Sequence, residues 1–368
     1  MAKVAVFHNT LDFEGGADMV CLHVCAALDA AHNVTLFTLS ATAPERVAVK
    51  FDVPFDVTVA TPPGNRPLAT GLNLAAPYLG PQLPARSVLL RAYLHRRRSE
   101  FDIVVSTANE LSTSGPSVQY VHFPQFHGDR IDAGETGRLD GVWSRLAAPD
   151  RRQLDDSTRL LANSAWTADV TADIYGVRPT VCHPPVDPIE GRPWVARDAG
   201  VLVLGRVAPD KRVLDAIEVV ERLRARGYDL TCHVVGSAPT AYREYVRRVE
   251  SAAARSEGVR VETDVSRDRV ETLLGRYRYG LNMKPSEHFG MAVAEYAAAG
   301  MVPFAPREGG QVDVLDGDDR LLFHGIEGAV ETVATALDAD LRPFLARDRF
   351  ASDRFATEIR NHVSATLK

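Results

Sequence analysis

The sequence predicts an α/β protein of two domains, each with a parallel β-sheet covered by helices on both faces. Short apolar segments alternate with helical patterns in the first half of the chain, a Pro-rich segment at 183–188 interrupts them, and the alternation then restarts. Strands that are apolar along their whole length are typical of parallel sheets buried on both faces. The 368 residues are enough for two such domains with substantial cores.

The first half of the chain has five segments with strand character. The run at 4–8 is followed by a helical pattern over 17–30. The other predicted strands lie at 34–37, 102–106, 118–122 and 159–163. A strand followed by a helix and a second strand indicates a βαβ unit, because parallel strands need a long crossover connection.

The same alternation continues beyond the Pro-rich segment. Strands are predicted at 201–204, 231–235, 259–262, 279–283 and 301–305, and helices at 210–226, 240–255, 290–299 and 352–367. We therefore expect an N-terminal domain over 1–188, a C-terminal domain over 189–345 and a C-terminal helical segment over 346–368. The last helix has no strand after it and is expected to pack across one of the two domains.

The composition is that of an ordinary globular protein. A net charge of −6 argues against nucleic acid as the main partner. The four cysteines, which are predicted to be buried, do not complete a zinc-binding pattern: Cys21, Cys25, Cys182 and Cys232. The N-terminus does not resemble a signal peptide and no apolar run approaches 18 residues, so a cytoplasmic protein is expected, at most peripheral on the inner face of the cell membrane.

Two carboxylates near the end of the second domain have a spacing that suits a nucleotide sugar. Seven residues separate Glu287 from Glu295, and a helix is predicted to begin between them. Eight residues of helix rise about 12 Å, which is comparable to the distance from a sugar across a diphosphate to a ribose. The alternative is a solvated acid at a helix start followed by a helical glutamate on an exposed face.

A second candidate site follows the strand at 201–204. This strand ends at Gly205, Arg206 follows at once, and Lys211 lies at the start of the next helix. Such a turn can place two cations and helix N–H groups around a phosphate. The spacing is not that of a P-loop and no GxGxxG occurs, so an ordinary βα turn with solvated cations is the alternative.

The N-terminal domain has two weaker signals. Gly15 and Gly16 precede the first helix, where backbone N–H groups could approach a ligand closely. A tight turn that needs a positive φ is the alternative. His122 ends the strand at 118–122, at the sheet edge where α/β proteins bind ligands, although a lone histidine is more often structural.

These features occur together in the order found in family 4 of the glycosyltransferases, and the chain resembles that family over nearly its full length. The matching segments are Gly15-Gly16, Asn163-Ser164-Ala165-Trp166-Thr167, His183-Pro184-Pro185-Val186-Asp187, Gly205-Arg206 with Lys211, Glu287 through Glu295, and Gly309-Gly310 with Asp313. The resemblance implies the GT-B fold, in which two Rossmann-like domains face each other across a cleft. It also allows the C-terminal helix to cross back to the N-terminal domain.

Two motifs resemble one branch of the family, which includes the mannosyltransferase that elongates lipid-linked oligosaccharides. They are Tyr120-Val121-His122-Phe123-Pro124 and Glu287-His288-Phe289-Gly290. Many other relatives have two residues between a Pro-Ser pair and the first glutamate, whereas Pro285-Ser286 abuts Glu287 directly. The resemblance favours GDP-mannose as the donor and leaves a UDP-sugar as the other candidate.

The resemblance also assigns roles to the site residues. Arg206 and Lys211 would neutralise the diphosphate, so that neither a metal nor another cofactor is expected. Glu287 would hold donor-sugar hydroxyls and Glu295 the ribose. Further donor contacts would come from backbone N–H groups of Phe289, Gly290 and Met291, with His122 beside the reacting sugar and Gly15-Gly16 near phosphate or acceptor.

The function that this resemblance implies is transfer of a hexose, mannose being favoured, to a glycan or lipid-linked acceptor with retention of anomeric configuration. Two alternatives remain: a sugar-nucleotide 2-epimerase on the same fold, and a degenerate transferase that acts as a binding subunit. Contacts to the base are expected from loops near 236–240 and 262–264.

The segment 84–98 is basic and amphipathic and could lie on an anionic membrane surface. The alternative is a helix that packs its Leu and Val side chains on the sheet and leaves its arginines solvated.

Overall fold

The computed structural model describes residues 1–79, 82–124, 140–149, 154 and 157–368. They form two compact units. Unit 1 comprises Met1–Pro185 together with Ser352–Lys368, and unit 2 comprises Val186–Ala351. Each unit contains its own parallel β-sheet, so the predicted fold class is confirmed.

The sheet of unit 1 has seven strands in the described part of the chain. They are β1 (Lys3–His8), β2 (Asn33–Thr38), β3 (Thr58–Ala60), β4 (Ile103–Ser106), β5 (Ser117–Val121), β6 (Thr158–Ala162) and β7 (Thr180–Val181). Their order across the sheet is β3-β2-β1-β4-β5-β6-β7, and every neighbouring pair is parallel. The direction of winding reverses between β1 and β4. Ligands of doubly wound sheets bind outside the strand carboxyl ends at this switch point.

Helices connect these strands. They are α1 (Gly16–Asp29), α2 (Pro44–Lys50), α3 (Asn65–Leu79), α4 (Leu83–Arg97), α5 (Asp140–Ala147) and α6 (Ala165–Tyr175). Ser164 caps α6, because its side chain accepts a hydrogen bond from the backbone N–H of Thr167, and Gly176 ends the helix in the left-handed conformation.

Unit 2 repeats this arrangement with six described strands: β8 (Asp198–Leu204), β9 (Thr231–Gly236), β10 (Val259–Thr263), β11 (Tyr277–Leu281), β12 (Val302–Pro306) and β13 (Leu322–Phe323). The order is β10-β9-β8-β11-β12-β13, again parallel throughout. The switch point of unit 2 therefore lies between β8 and β11. Its helices are α7 (Val213–Ala225), α8 (Arg243–Arg255), α9 (Arg267–Leu274), α10 (Met291–Ala298), α11 (Gln311–Val314) and α12 (Gly325–Asp338).

The last helix, α13 (Ser352–Thr366), belongs to unit 1. Its apolar face consists of Phe355, Ile359 and Val363, which are four positions apart and buried in the same core as β1 and α1. The ring of Phe355 lies edge-on to that of Tyr120, with centroids 6.0 Å apart. The preceding residues 346–351, which the sequence analysis placed in a separate C-terminal segment, belong to unit 2.

The central strands are apolar throughout because each of their faces packs against a different cluster. Val4 and Val6 of β1 lie in one cluster, whereas Ala5 and Phe7 lie in another on the opposite face. Burial of both faces is what the uninterrupted apolar runs predicted.

Some boundaries differ from the prediction. The helix predicted over 210–226 begins at Val213, because residues 209–211 form a 3₁₀ turn and Arg212 has a left-handed φ of 51°. The strand predicted over 118–122 ends at Val121, and His122 follows it. No helix in the described ranges has both the length and the apolar character needed to cross a bilayer.

Candidate functional site

The switch point of unit 2 brings three predicted site residues together. Arg206 and Lys211 follow β8, and Glu287 follows β11. Because β8 and β11 are neighbours and parallel, the loops at their carboxyl ends meet at one edge of the sheet. The loops supply cations from one side and a carboxylate from the other.

Lys211 and Glu287 form a direct ion pair between Nζ and Oε1. Their side chains are 21% and 15% exposed, so the pair is largely shielded from solvent. Burial alone would raise the pKa of Glu287, but the charges of Lys211 and Lys284 outweigh it and hold that pKa below its usual range. Glu287 is therefore a carboxylate at neutral pH.

Arg206 is the more accessible of the two predicted cations. Its guanidinium Nη2 lies 3.4 Å from Oδ2 of Asp210, one turn along the same loop, and its side chain is 44% exposed. This ion pair is long and partly solvated, so it constrains the guanidinium weakly.

The backbone of Glu287 is fixed by the loop that follows β12. Its carbonyl oxygen accepts a hydrogen bond of 2.7 Å from the N–H of Gly310. Gly309 has a φ of +80°, and a Cβ there would lie 2.5 Å from the carbonyl oxygen of Glu287. Only glycine allows this approach of the two backbones, so the Gly309-Gly310 pair positions the carboxylate.

The helix N-terminus predicted between the two glutamates is that of α10. Gly290 precedes it with a φ of 102°, and Met291 is its first residue. The ring of Phe289 is buried and lies edge-on to that of Phe350, with centroids 5.4 Å apart. The side chain of Phe289 therefore anchors the loop in the core.

Glu295 lies on α10 and pairs with Arg267, the first residue of α9, through Nη1 and Oε1. Burial alone would lower the pKa of Arg267, but Glu295 and Glu271 raise it overall. Glu271 is 2.8 Å from the guanidinium Nε. The side chain of Glu295 is 14% exposed, so the alternative of a helical glutamate on an exposed face is wrong.

In unit 1, Gly15 and Gly16 lie at the start of α1. Oδ2 of Asp18 accepts a hydrogen bond of 3.0 Å from the N–H of Gly15, and its Oδ1 lies 2.9 Å from Nε2 of His8. Gly15 has a φ of −108°, and the positive φ of this loop, 48°, occurs at Glu14. The alternative of a glycine turn that needs a positive φ is therefore wrong for Gly15.

His8 and Asp18 are buried together beneath this loop. Burial alone would lower the pKa of His8, but Cys21 and Asp18 raise it to about 10. The imidazole is accordingly protonated at neutral pH and forms a buried ion pair with Asp18.

His122 lies just beyond β5, next to the loop that follows β4. Its N–H donates to Oδ1 of Asn109 at 2.6 Å, and its ring Nε2 lies 3.2 Å from the carbonyl oxygen of Thr107. The ring also packs against Tyr120, with centroids 5.0 Å apart. These contacts fix the imidazole at the carboxyl edge of the sheet, near the β1/β4 switch point.

The loop that carries the two glycines is tied to the loop after β2. The carboxylate of Asp12 accepts from the N–H groups of Ala41 and Thr42 at 2.9 and 2.8 Å. Arg86 of α4 is completely buried, and its Nη1 lies 3.4 Å from Oδ2 of Asp12. The alternative that the arginines of this helix are solvated is therefore wrong for Arg86, which contacts the loop from within the core.

Sequence reasoning did not find four residues that organise these sites. Lys284 lies between Asp210 and Glu287, Arg267 holds Glu295, and Asn109 holds the backbone of His122. Gln311 is completely buried, and its Nε2 donates to the carbonyl oxygens of Lys284, Pro306 and Glu308. A signal was available for Gln311, which directly follows Gly309-Gly310.

Comparisons with families of known proteins cover most of the chain. Residues 14–190 match the family described as Glycosyltransferase Family 4. Residues 198–339 match the family described as Glycosyl transferases group 1. The two matches are consecutive and correspond to the two units.

Curated relatives match a smaller part. A protein of Candida glabrata named GDP-Man:Man(3)GlcNAc(2)-PP-Dol alpha-1,2-mannosyltransferase is 24% identical over 213 residues, which are 51% of this chain and 42% of the relative. A protein of the same name from Dictyostelium discoideum is 24% identical over 242 residues, which are 57% of this chain and 48% of the relative. The matches thus span less than half the length of these relatives.

Solved structures share the fold over the whole chain. Anabaena HepE, crystallised with UDP and glucose, superposes with a TM-score of 0.71 at 16% identity over 99% of this chain and 100% of that one. WaaB, described as a lipopolysaccharide outer core galactosyltransferase, superposes with a TM-score of 0.65 at 14% identity over 99% of each chain.

Proposed function

Because the chain belongs to family 4 of the glycosyltransferases and has the GT-B fold, we propose that it is a retaining, metal-independent hexosyltransferase. It moves the hexose from a nucleotide-diphosphate sugar to a glycan or lipid-linked acceptor. The family and the fold rest on the matches above; the donor, the acceptor and the stereochemistry are part of the proposal.

The observation that carries this proposal is the charge arrangement at the β8/β11 switch point. Arg206 and Lys211 come from one loop and Glu287 from the neighbouring loop, within contact distance of Lys211. When the glycosidic bond breaks, negative charge develops on the leaving diphosphate, and preorganised cations stabilise it. Arg206 and Lys211 supply these cations, while Glu287 is an ionised acceptor for hydroxyls of the donor sugar.

The remaining roles follow the geometry of unit 2. Glu295, oriented by Arg267, accepts from the ribose hydroxyls. The backbone N–H groups of Phe289, Gly290 and Met291 are at the N-terminal end of α10, where the helix dipole favours phosphate oxygens.

In unit 1, Gly15 supports an approach of ligand to the backbone. Its φ is ordinary, and a Cβ on Gly15 would meet no atom within 4 Å among the described residues. The protein's own packing therefore does not require glycine at this position. Close approach of a phosphate or of the acceptor to the backbone is our explanation for the glycine. We propose His122 as a contact of the reacting sugar, and Gly16, the first residue of α1, as a contact of phosphate or acceptor together with Gly15.

We propose GDP-mannose as the donor, with a UDP-sugar as the second candidate. The Glu287-His288-Phe289-Gly290 motif and the names of the curated relatives support GDP-mannose and a lipid-linked oligosaccharide acceptor. The HepE structure, which contains UDP and glucose, is the reason to retain UDP-sugars.

Retention is proposed to occur by attack of the acceptor on the same face that the diphosphate leaves. Glu287, the carboxylate nearest the proposed sugar position, is held by Lys211 and oriented as a hydrogen-bond acceptor. Capture of a covalent glycosyl-enzyme adduct would overturn this mechanism.

The direct test is a thermal-shift screen of GDP-, UDP- and ADP-sugars, followed by transfer assays with the stabilising donor. We expect the sugars of one nucleotide, GDP, UDP or ADP, to raise the melting temperature of the protein. The sugar of that donor should then be transferred to an added acceptor. Conversion of the donor into an epimer without acceptor would support the 2-epimerase instead. Absence of nucleotide binding by calorimetry would support the degenerate binding subunit.

A peripheral membrane contact through 84–98 is also proposed, in a narrower form than the sequence suggested. Leu90 and Leu94 are buried in the core, so these apolar side chains are not available to lipid. Arg91, His95 and Arg96 instead line an open cavity of about 810 Å³ together with the hydroxyls of residues 112–114. This cationic, hydroxyl-lined surface is the part of α4 that could meet anionic headgroups.

A further inference from the structure

Five charged side chains form a row of alternating sign in unit 2. In order they are Arg206, Asp210, Lys284, Glu287 and Lys211. Nζ of Lys284 lies 3.2 Å from Oδ2 of Asp210 and 3.9 Å from Oε2 of Glu287. Lys284 is therefore the middle cation, shared by two carboxylates that each have a further cation at the end of the row.

The backbone of Lys284 is held firmly at this position. Its N–H donates to Oδ1 of Asn282 at 3.3 Å, and its carbonyl oxygen accepts from Nε2 of Gln311 at 3.1 Å. Gln311 is completely buried, and its Oε1 accepts from Nδ2 of Asn282 at 2.6 Å. The network fixes the root of the lysine side chain, which is 21% exposed.

The two carboxylates depend on this shared cation in different degrees. Oδ1 of Asp210 is buried and has no hydrogen-bond partner among the described residues, so its carboxylate is held by charge at Oδ2. Glu287 receives Lys211 on one oxygen and has Lys284 near the other. Without the middle cation, Asp210 and Glu287 would face each other across a gap with like charges.

We propose that Lys284 is a positioning residue of the donor site, which keeps Asp210 and Glu287 fixed on either side so that Arg206 and Lys211 face the diphosphate. The inference rests on the proposed function, because it takes the diphosphate site as given. In this proposal Arg206 and Lys211, at the two ends of the row, bind the ligand. Lys284, in the middle, holds the two carboxylates of the protein in place.

Titration gives a readout that a purely structural role would not change. The charged groups around Lys284 are Asp210, Arg206 and Lys211 from the loop after β8, and Glu287 from its own loop. The pKa values of Asp210 and Glu287 are raised by burial and lowered by nearby cations, Lys284 among them, with a net decrease in both.

His288 is the remaining titratable neighbour, and burial followed by the charge of Lys284 lowers its pKa to about 4. Removing the cation therefore raises all three pKa values. The carboxylates then become protonated at a higher pH, and the acidic limb of the activity profile moves in the same direction.

The experiment compares Lys284→Met, Lys284→Arg and the control Lys3→Met, an exposed lysine of unit 1. Binding of GDP and UDP is measured by calorimetry, and kcat and KM with the donor identified by the screen are measured from about pH 3 to pH 8, so that the range includes the acidic limb of the wild type. For Lys284→Met we expect kcat to fall by roughly tenfold or more at pH 7. The acidic limb should shift upwards by about 1–3 pH units, the size expected for loss of one nearby opposite charge. Lys284→Arg should restore both the kcat and the position of the acidic limb, and Lys3→Met should behave like wild type.

Asp210→Asn provides a second variant if Lys284→Met does not fold. This substitution removes the negative charge of Asp210, which repels Glu287, so that Lys284 then pairs with Glu287 only. The acidic limb should therefore move to lower pH, in the opposite direction to Lys284→Met. An unshifted limb in both variants, or a loss confined to KM, would overturn the positioning role. Failure of the wild-type protein to bind either nucleotide would refute the proposed function itself, which keeps the two failures apart.

Discussion

Lys211 and Glu287 lie 76 positions apart in the sequence, yet the ammonium group of one pairs directly with the carboxylate of the other. In this structure each group satisfies the other. A donor with its diphosphate near Lys211 and its sugar hydroxyls near Glu287 would give each of these two residues a new partner and replace their ion pair. Since the ion pair is largely shielded from solvent, neither charge has to be newly desolvated when the donor arrives.

Arg206→Ala is expected to lower kcat more than it weakens donor binding. Its guanidinium is the most accessible cation of the row, and its ion pair with Asp210 is partly solvated, so it can contact the charge that develops on the leaving group. Loss of one such donor in other enzymes costs roughly 10²–10³ in kcat. Steady-state kinetics give the split between kcat and KM.

Arg255→Ala, which truncates an exposed arginine of α8, is the matched control and should leave both constants unchanged. Wild-type turnover by Arg206→Ala would refute the role of Arg206 in leaving-group stabilisation.

Arg267→Ala should weaken donor binding nearly as much as Glu295→Ala does. Arg267 pairs with Glu295 and with Glu271 and so fixes the direction of the Glu295 carboxylate. We expect about a tenfold loss of affinity for each variant, equivalent to about 1.4 kcal/mol. Because the two residues act as one unit, the double variant should lose little more than either single one. Fully additive losses in calorimetry would show that Arg267 acts independently.

The parts of the site that the sequence predicted are those joined by local patterns. Contiguous segments of sequence contain the strand that ends at Gly205, the cations that follow it and the two glutamates around a helix start. The alternation of apolar strands with helices predicted that the residues just after each strand lie at the carboxyl edge of the sheet.

Contacts across long sequence separations could not be predicted in this way. In the sequence, Arg86 is a basic residue of an amphipathic helix, for which a solvated position is the simplest prediction. In the structure, contacts with Asp12 and with the carbonyl oxygen of Leu39 bury it completely. Helix α3 was not predicted because Pro67, Gly71 and Pro77, which are residues typical of turns, interrupt its sequence.

Asp18→Asn should destabilise unit 1 in a pH-dependent manner. His8 has a pKa raised from 6.5 to about 10, so the stabilisation from its protonated form is complete below pH about 6.5. It is lost as the pH rises towards 10. Removing one partner of this buried ion pair should cost about 3–5 kcal/mol at pH 6 and less at pH 10.

Denaturant unfolding at the two pH values, followed by a probe in unit 1, measures this difference. Asp169→Asn is the matched control, because it removes an exposed aspartate that pairs with Arg178 at the surface. An equal cost of Asp18→Asn at both pH values would contradict the charged state of His8.

Chelation of divalent metals should leave the transferase activity unchanged within about twofold. Arg206, Lys211 and the arrangement around them already provide fixed positive charge at the proposed diphosphate site. The assay is turnover before and after EDTA treatment, with added Mg²⁺ or Mn²⁺ as the comparison. A loss that is restored by either metal would show that these cations are insufficient.

Arg96→Glu should reduce binding to acidic vesicles, whereas charge reversal at its neighbours should matter less. Arg97 is occupied by Glu100, with contacts of 3.0 and 2.7 Å, and Arg98 donates to the carbonyl oxygens of Ser114 and Phe101. Arg96 is exposed and lines the cationic cavity.

Each cation near an anionic surface contributes about 1 kcal/mol, and reversal of one charge should therefore lower the vesicle-bound fraction several-fold at low salt. Flotation with vesicles containing anionic lipid gives this measurement, and neutral vesicles report contacts that do not depend on charge. Arg255→Glu makes the same change of net charge on unit 2 and should float like wild type. Equal flotation of Arg96→Glu and wild type would remove the membrane contact through α4, because no other exposed arginine of that helix lines the cavity in the described structure.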